Sequence, residues 1–296
     1  MNLLRRERGQ ALVLTVLFLG TLILAAAAVI DVGSWYREDR DLQKAMDAAA
    51  LAGAQNLPDG PAASGLAGEY ADKNGGGLDT VEITSTETPD DTITVTGSRP
   101  APGFFAGIIG IDSVTVHATA TAMAGVIDEP RFVAPFGVDE THPFLAGEVW
   151  DTETTLELGK IGPGAFRILN IDGSHGGLGP GTLADWIMNG YSGDMPLGWY
   201  YSDPGAKYNS GQVKDALDTM LGKELLFPVY RATTGSGSGF EYEVVGWTGF
   251  VIDSYHFQGS KDATITGHFT EIIWEGISGS EEDAEDYGAR TVSLTG

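Results

Sequence analysis

An uninterrupted apolar stretch stands near the N-terminus of the chain. No ionisable side chain occurs from Ala11 to Ile30. Twenty helical residues at about 1.5 Å each span roughly the 30 Å hydrocarbon core of a bilayer. We therefore predict a transmembrane helix over residues 11–30, with the apolar side chains Ala11, Leu12, Val13, Leu14, Leu17, Phe18, Leu22, Ile23, Leu24, Val29 and Ile30.

The helical pattern continues beyond the apolar stretch as a stalk over residues 31–57. Its charged residues fall mostly outside an apolar stripe at helical spacing, formed by Val32, Trp35, Tyr36, Leu42, Ala45, Met46 and Ala49. No proline precedes Pro58, and Pro58, Asp59 and Gly60 together are typical of a helix end. The sequence thus predicts one helix from about Gly9 to Asn56, followed by a linker rich in glycine and alanine.

Alternation of apolar and polar residues then predicts a small antiparallel sheet within residues 58–128. Val81 with Ile83, and Ile93 with Val95, mark one face of two short strands. A longer strand follows over residues 114–124, and the apolar segment "APGFFAGIIGID" before it is expected to cap the sheet.

The remaining residues, 129–296, predict a second, β-rich domain. Two helices are expected, one around Leu183–Ile187 that ends at Gly190, and one over Val213–Leu221 with Ser210 as its N-cap. Strands are predicted at 154–158, 166–171, 225–231, 240–254 and 263–274. The predicted fold class is α+β, with a long N-terminal transmembrane and stalk helix, a small antiparallel sheet and a β-rich second domain.

Charge and cysteine content narrow the partners of the chain. The 41 acidic residues exceed the 17 basic ones, and a field of this sign repels phosphate backbones, so nucleic-acid binding is disfavoured. Without cysteine the chain has neither disulfides nor cysteine metal sites. Basic residues precede the apolar stretch and Asp31 follows it, which places residues 1–10 in the cytoplasm and the acidic body outside.

A cleavable signal peptide is the alternative to a single-pass anchor in the lipid bilayer of the cell membrane. The basic start, the apolar stretch and the small residues Ala25–Ala28 fit its outline. Signal-peptide cores contain about 7 to 15 apolar residues and meet extended chain, whereas here the helical pattern continues. The pattern favours retention of the helix.

The stretches "RRERGQALVL" and "AVIDVGSWYREDRDLQKAMDAAALAGA" resemble the TadE and TadG group of Flp-type (tight adherence) pilus assembly proteins. The matching residues include Arg8, Gly9, Gln10, Asp31, Gly33, Tyr36, Leu42, Gln43 and Asp47. The resemblance implies a pilin-like small sheet, other pilus or envelope proteins as partners, and self-association through the N-terminal helix as one option. Members cleaved by a prepilin peptidase carry a glutamate where this chain has Leu14, so the uncleaved, membrane-retained branch fits better.

Patterns that carry catalysis or bind cofactors are missing from the sequence. No H-E-x-x-H, G-x-S-x-G, P-loop or dinucleotide-binding glycine pattern occurs, and the five histidines are scattered. Asn170 and Asp172 in "NIDGSHGG" offer oxygen ligands for calcium, but the EF-hand alternation is lacking and a plain turn is favoured. We therefore expect no cofactor and no enzyme activity, with a calcium-dependent hydrolase as a third hypothesis.

Aromatic residues concentrated in a glycine-rich region are the candidates for contacts with other molecules. Trp186, Tyr191, Trp199 and Tyr201 suit sugar or protein contacts, and the alternative is that they fill the core of a loop-rich domain. The leading hypothesis is a membrane-anchored, non-enzymatic component of Flp/Tad-type pilus assembly that presents an acidic body for assembly, anchoring or adhesion. The alternative is a surface-anchored, carbohydrate- or protein-binding adhesin outside any pilus.

Overall fold

The chain forms two compact units. A computed structural model describes residues 7–86, 88–158, 162, 164–202, 206–235, 239–258, 262–278 and 285–295. The first unit comprises Met1–Met123 and Leu294–Gly296, and the second comprises Ala124–Ser293. The sequence had placed the change between domains at residue 129. Long helices followed by strand-rich units confirm the predicted α+β class.

Helix α1 (Glu7–Ala54) is continuous over 48 residues, which confirms the predicted rod. The predicted linker after it is wrong, because helix α2 (Gly60–Lys73) begins directly beyond the turn. The side chain of Asp59 accepts a hydrogen bond from the Ala62 amide at 3.0 Å, and Pro61 occupies the first turn, where its missing N–H costs nothing. The residues that end α1 therefore also start α2.

Strands β1 (Leu78–Thr84), β2 (Thr92–Pro102) and β3 (Ser113–Pro130) form the predicted antiparallel sheet of the first unit. Val81 pairs with Val95, and Val95 pairs with Ala120. The apolar face of this sheet is buried and helix α1 packs on it, so Met46 lies against the backbone of Gly97.

Within the described ranges, the second unit contains three α-helices and most of the strands. The helices are α3 (Pro143–Ala146), α4 (Pro180–Asn189) and α5 (Gly211–Met220). The strands are β4 (Phe136–Asp139), β5 (Glu153–Leu158), β6 (Ala165–Ile168), β7 (Gly198–Tyr201), β8 (Glu224–Thr234), β9 (Glu241–Gln258), β10 (Asp262–Thr270), β11 (Ile272–Ile273), β12 (Gly276–Ser278), β13 (Glu285–Asp286) and β14 (Ala289–Leu294). Both predicted helices are confirmed, and the Ser210 hydroxyl accepts the Val213 amide as expected.

Strands of the second unit close into a ring. The order is β10-β5-β6-β4-β8-β9, and β10 also pairs with β9, which completes a circuit of six strands. Ile265 shows the closure, because it pairs with Leu156 on one side and with Tyr255 on the other. Five fully buried phenylalanines belong to the core cluster that ring and helices share: Phe136, Phe166, Phe227, Phe250 and Phe269.

Candidate membrane-contact site

The N-terminal half of α1 exposes its apolar side chains. Twelve large apolar side chains between Leu12 and Ile30 are at least 50% exposed. The hydroxyl groups of Thr15 and Thr21 each donate to the carbonyl four residues earlier at 2.8 Å, so neither needs water. Among the described residues, α1 is the helix long and apolar enough to cross a membrane. Residues 1–6 of the predicted cytoplasmic segment lie outside the described part of the chain.

The C-terminal half of α1 packs some of the residues that carry the family resemblance, although Tyr36 in the same half is 62% exposed. Leu42 is fully buried, and the Gln43 Nε2 donates to the Asp47 Oδ1 at 2.8 Å and to the Thr119 carbonyl at 2.9 Å. This side chain therefore ties the helix to strand β3. A Cβ on Gly53 would come within 3.0 Å of the Ala63 carbonyl oxygen, so glycine allows α2 to approach α1 closely.

Asp31 directly follows the predicted transmembrane segment of α1, and its carboxylate holds a distant loop. Its carboxylate accepts hydrogen bonds from the backbone amides of Phe104 at 2.7 Å, of Phe105 at 3.0 and 3.1 Å, and of Ala106 at 2.6 Å. The Trp35 Nε1 adds a bond to the Pro102 carbonyl at 3.2 Å. These contacts fix residues 103–112, which we call the FFAGIIG loop, against the helix.

The amide contacts also explain why a nearly inaccessible carboxylate stays charged. Asp31 is only 2% exposed. Burial raises the pKa of the Asp31 carboxyl. The hydrogen bonds from the amides of Phe105, Ala106 and Phe104 together lower this pKa by more than burial raises it, so the net pKa lies below its ordinary value. Asp31 is therefore an anion at neutral pH whose charge is satisfied by backbone donors.

The FFAGIIG loop turns its apolar side chains outward. The loop contains the short 3₁₀ turn Ala106–Ile109. A hydrogen bond from the Gly103 amide to the Asp112 carbonyl at 2.9 Å joins the two ends of the loop. Phe104, Ile108 and Ile109 are 66%, 83% and 75% exposed. The prediction that this segment caps the small sheet is therefore wrong. Docking on Asp31 directs the loop to helix α1 instead.

A cleft separates the FFAGIIG loop from the apolar half of α1. It has a volume of about 300 Å³. Helix residues Ile23, Leu24 and Ala27 line one side, and loop residues Phe105 and Ile109 line the other. Apart from the saturated carboxylate of Asp31, the side chains around the cleft are apolar or, like Trp35, aromatic.

The four aromatic contact candidates separate into buried and accessible residues. Trp186 is only 7% exposed and belongs to a core cluster, which removes it from the candidates. Tyr191 is half-buried and packs edge-on against Trp186, with ring centroids 5.5 Å apart. Trp199 on β7 is 45% exposed. Tyr201 is half-buried, and its ring packs edge-on against His175 with the ring centroids 4.5 Å apart. Trp199 is the most accessible of the four.

The two calcium candidates take part in a loop that is closed by its own hydrogen bonds. Asn170 is fully buried, and its Nδ2 donates to the Ser174 carbonyl at 3.0 Å and to the Gly176 carbonyl. The Asp172 Oδ1 accepts the Ser174 amide at 2.9 Å. Over the described ranges, no three His, Asp or Glu side chains converge into a metal-binding group.

The docking of the FFAGIIG loop on α1 is not predicted by the sequence. Its signal was present as a run of large apolar residues between glycines, but the run alone does not show where the loop docks. The acceptor, Asp31, lies 73 residues before the first donor amide. Only the fold brings the two together.

Comparison with known proteins finds a similarity that covers the first helix of the chain. Residues 9–56 match the family model Tad, described as "Putative Flp pilus-assembly TadE/G-like". No curated protein and no solved structure shows a significant match to the chain. The matched range covers almost all of α1 and contains the motif residues from Gly9 to Asp47, which confirms the resemblance. Over residues 9–56, the chain is therefore similar to the putative TadE/G-like Flp pilus-assembly proteins that this model describes.

Proposed function

We propose that the protein is a non-enzymatic component of Flp/Tad-type pilus assembly that remains anchored in the cell membrane by α1. The observation that carries this proposal is the division of one continuous helix within the family match. Its first half, residues 11–30, exposes apolar side chains, and its second half buries Leu42, Met46 and Ala49 against a folded unit. Such a helix connects a bilayer to a body outside it.

The energetics of the apolar half favour retention in lipid. Full burial of a Leu, Ile or Phe side chain contributes about 1.5–3 kcal/mol, and twelve large apolar side chains between Leu12 and Ile30 are at least half exposed. Contacts within the protein leave this surface uncovered. Lipid would cover it, and α1 satisfies its own backbone hydrogen bonds, as a spanning segment must.

The charge distribution supports an orientation with the N-terminus in the cytoplasm. Arg5, Arg6 and Arg8 precede the apolar half, and basic flanks remain on the cytoplasmic side. The chain carries a formal net charge of −24, so the body on the outer side is strongly acidic. Other pilus or envelope proteins are its proposed partners.

Fractionation of cells that express the full chain with a C-terminal epitope tag tests the proposal. We expect the chain in the membrane fraction, resistant to carbonate extraction, with the tag accessible to protease added to spheroplasts. Stoichiometric recovery in sheared filaments would identify a pilin subunit instead. A tag that stays protected from protease in spheroplasts, and is cleaved only after the cell membrane is lysed, would contradict the orientation.

The second unit supports a further candidate function, binding of a carbohydrate or protein. Trp199 favours it, because an accessible tryptophan on an edge strand offers a flat apolar contact. Wild type and Trp199→Ala, compared for adhesion of whole cells to immobilised glycans or host matrix, test this candidate. Equal adhesion by cells with equal amounts of surface protein would remove it.

A further inference from the structure

We propose that the FFAGIIG loop is a second membrane-contacting element, which inserts its apolar tip among the lipid acyl chains of the outer leaflet beside α1. The inference rests on the proposed anchoring of α1 and goes beyond it, because it assigns a lipid contact to a segment outside the spanning helix. The bilayer would then hold the first unit at two points.

The FFAGIIG loop lies beside the outer end of the predicted transmembrane segment. The cleft beside the loop is lined by α1 from Ile23 to Trp35, and residues 23–30 belong to the predicted transmembrane segment. At about 1.5 Å per residue, Ile23 lies roughly 10 Å deeper along the helix than Ile30. A loop docked on this stretch stands level with the outer end of the predicted span, at the boundary between acyl chains and headgroups.

The exposed surface of the FFAGIIG loop is strongly apolar. Ile108 and Ile109 are more exposed than any large apolar residue of the spanning half of α1. Soluble monomeric proteins rarely leave contiguous apolar patches of this kind uncovered. Interfacial elements bury such residues about 5–10 Å into the boundary between headgroups and acyl chains, a depth that suits this loop.

Several backbone amides of the FFAGIIG loop have hydrogen-bond partners within the protein. Irregular backbone exposed to lipid is not found inside the hydrocarbon core, so such a loop reaches only the boundary with the headgroups, where its backbone amides still need partners. Asp31 accepts three of these amides, and the Ile111 amide donates to the Ala106 carbonyl at 3.0 Å. The same bonds satisfy the carboxylate charge, which would otherwise be costly beside hydrocarbon. Trp35 at the same level is a residue type typical of membrane interfaces.

The cleft between the FFAGIIG loop and α1 suits a lipid acyl chain. It is lined mostly by apolar side chains and is continuous with the lipid-facing surface of α1. A volume of about 300 Å³ leaves room for a segment of an acyl chain. We therefore assign lipid, and not a second copy of the chain, as the occupant.

Depth-dependent fluorescence quenching tests the proposal on the full chain reconstituted into phosphatidylcholine and phosphatidylglycerol vesicles. The chain has no cysteine, so single variants carry one environment-sensitive label each. Ile108→Cys reports the loop tip, and Phe18→Cys reports the span. Thr84→Cys is the matched control, because Thr84 is exposed and pairs with Thr92 at the end of β2 opposite the loop.

The expected result separates the three labels. Lipids with a nitroxide near the headgroup should quench the Ile108 label more than lipids with a nitroxide near the bilayer centre, and the reverse should hold for Phe18. The Thr84 label should respond only to aqueous iodide. Asp31→Ala should release the loop and weaken lipid quenching at Ile108, while quenching at Phe18 persists.

Each contrary result has a distinct meaning. Lipid quenching at Phe18 but not at Ile108 overturns the loop proposal and leaves the anchor intact. An Ile108 label shielded from iodide and also from lipid nitroxides indicates burial by a second copy, which also overturns it. Absence of lipid quenching at Phe18 contradicts the anchor itself.

Discussion

Replacement of Gly53 by alanine tests the packing that joins the stalk to the first unit. In a helix interior, this change ordinarily stabilises by about 0.5–1 kcal/mol, because alanine loses less backbone freedom on folding. At Gly53, however, the new Cβ would lie 2.5 Å from the Ile93 Cδ1, 3.0 Å from the Ala63 carbonyl oxygen and 3.1 Å from the Ala67 Cβ. Two helices and a strand meet at this point.

Whether Gly53→Ala raises or lowers the free energy of unfolding depends on whether these neighbours can move. Ile93 is fully buried, so its methyl group cannot turn into solvent, and the Ala63 oxygen belongs to the backbone of α2. Overpacking of this kind costs about 1–3 kcal/mol. After subtraction of the helix-propensity gain, Gly53→Ala should destabilise the first unit by roughly 1–2 kcal/mol.

Hydrogen exchange followed by mass spectrometry measures the effect on the full chain in detergent micelles. Opening of amides in α2 and β2 should become roughly 5- to 30-fold more frequent in Gly53→Ala. Gly65→Ala is the matched control, because Gly65 lies inside α2 with nothing within 4 Å of the added Cβ. The control should slow exchange about two- to fivefold. Equal slowing in both variants would refute the close contact.

Three further predictions concern the span, the loop and the aromatics. Leu17→Arg should impair membrane insertion by about 2.5–3.5 kcal/mol, seen as loss of carbonate-resistant protein, and unchanged membrane yield would contradict the span. Because the pKa of Asp31 is lowered, protection of the amides of residues 104–106 should persist from neutral pH down to the ordinary aspartate value of 3.8 and disappear only below it. Loss of protection near neutral pH would contradict the hydrogen bonds between these amides and the Asp31 carboxylate. Trp186→Ala should destabilise the second unit by about 3–5 kcal/mol in chemical unfolding, and exposed Trp199→Ala much less, so equal losses would contradict their assignment.

Features encoded by local periodicity could be predicted from the sequence. The apolar stretch and the stripe behind it gave the position of α1 because spacing along a helix sets which residues share a face. The strands of the first sheet followed from alternation, and the N-cap of α5 followed from Ser210. Each of these features depends on residues close together in the chain.

Helix α2 was missed because the same residues serve two purposes. Pro58, Asp59 and Gly60 end one helix, and Asp59 then caps the next, so a pattern of helix breakers was interpreted as a linker. The apolar face of α2 consists of small residues, Ala63, Ala67 and Ala71, whose burial carries a weak hydrophobic signal. Its close packing needs the glycine of α1, which lies in another helix.

Features that depend on distant contacts could not be predicted. The docking of the FFAGIIG loop depends on a carboxylate 73 residues away, and alternation in nearby strands gave no sign of it. Closure of the second unit needs β5 to pair with β10, more than one hundred residues later. The burial of Trp186 likewise follows from the fold around it, because composition alone left contact and core equally open.

N-terminal sequencing and intact mass of the chain purified from its native membranes test the central claim most directly. If α1 remains in the bilayer as an anchor, the mature chain begins at Met1, retains residues 11–30 and is recovered in the membrane fraction. A chain that begins between Val29 and Asp31 and is found free in the culture fluid would contradict the account.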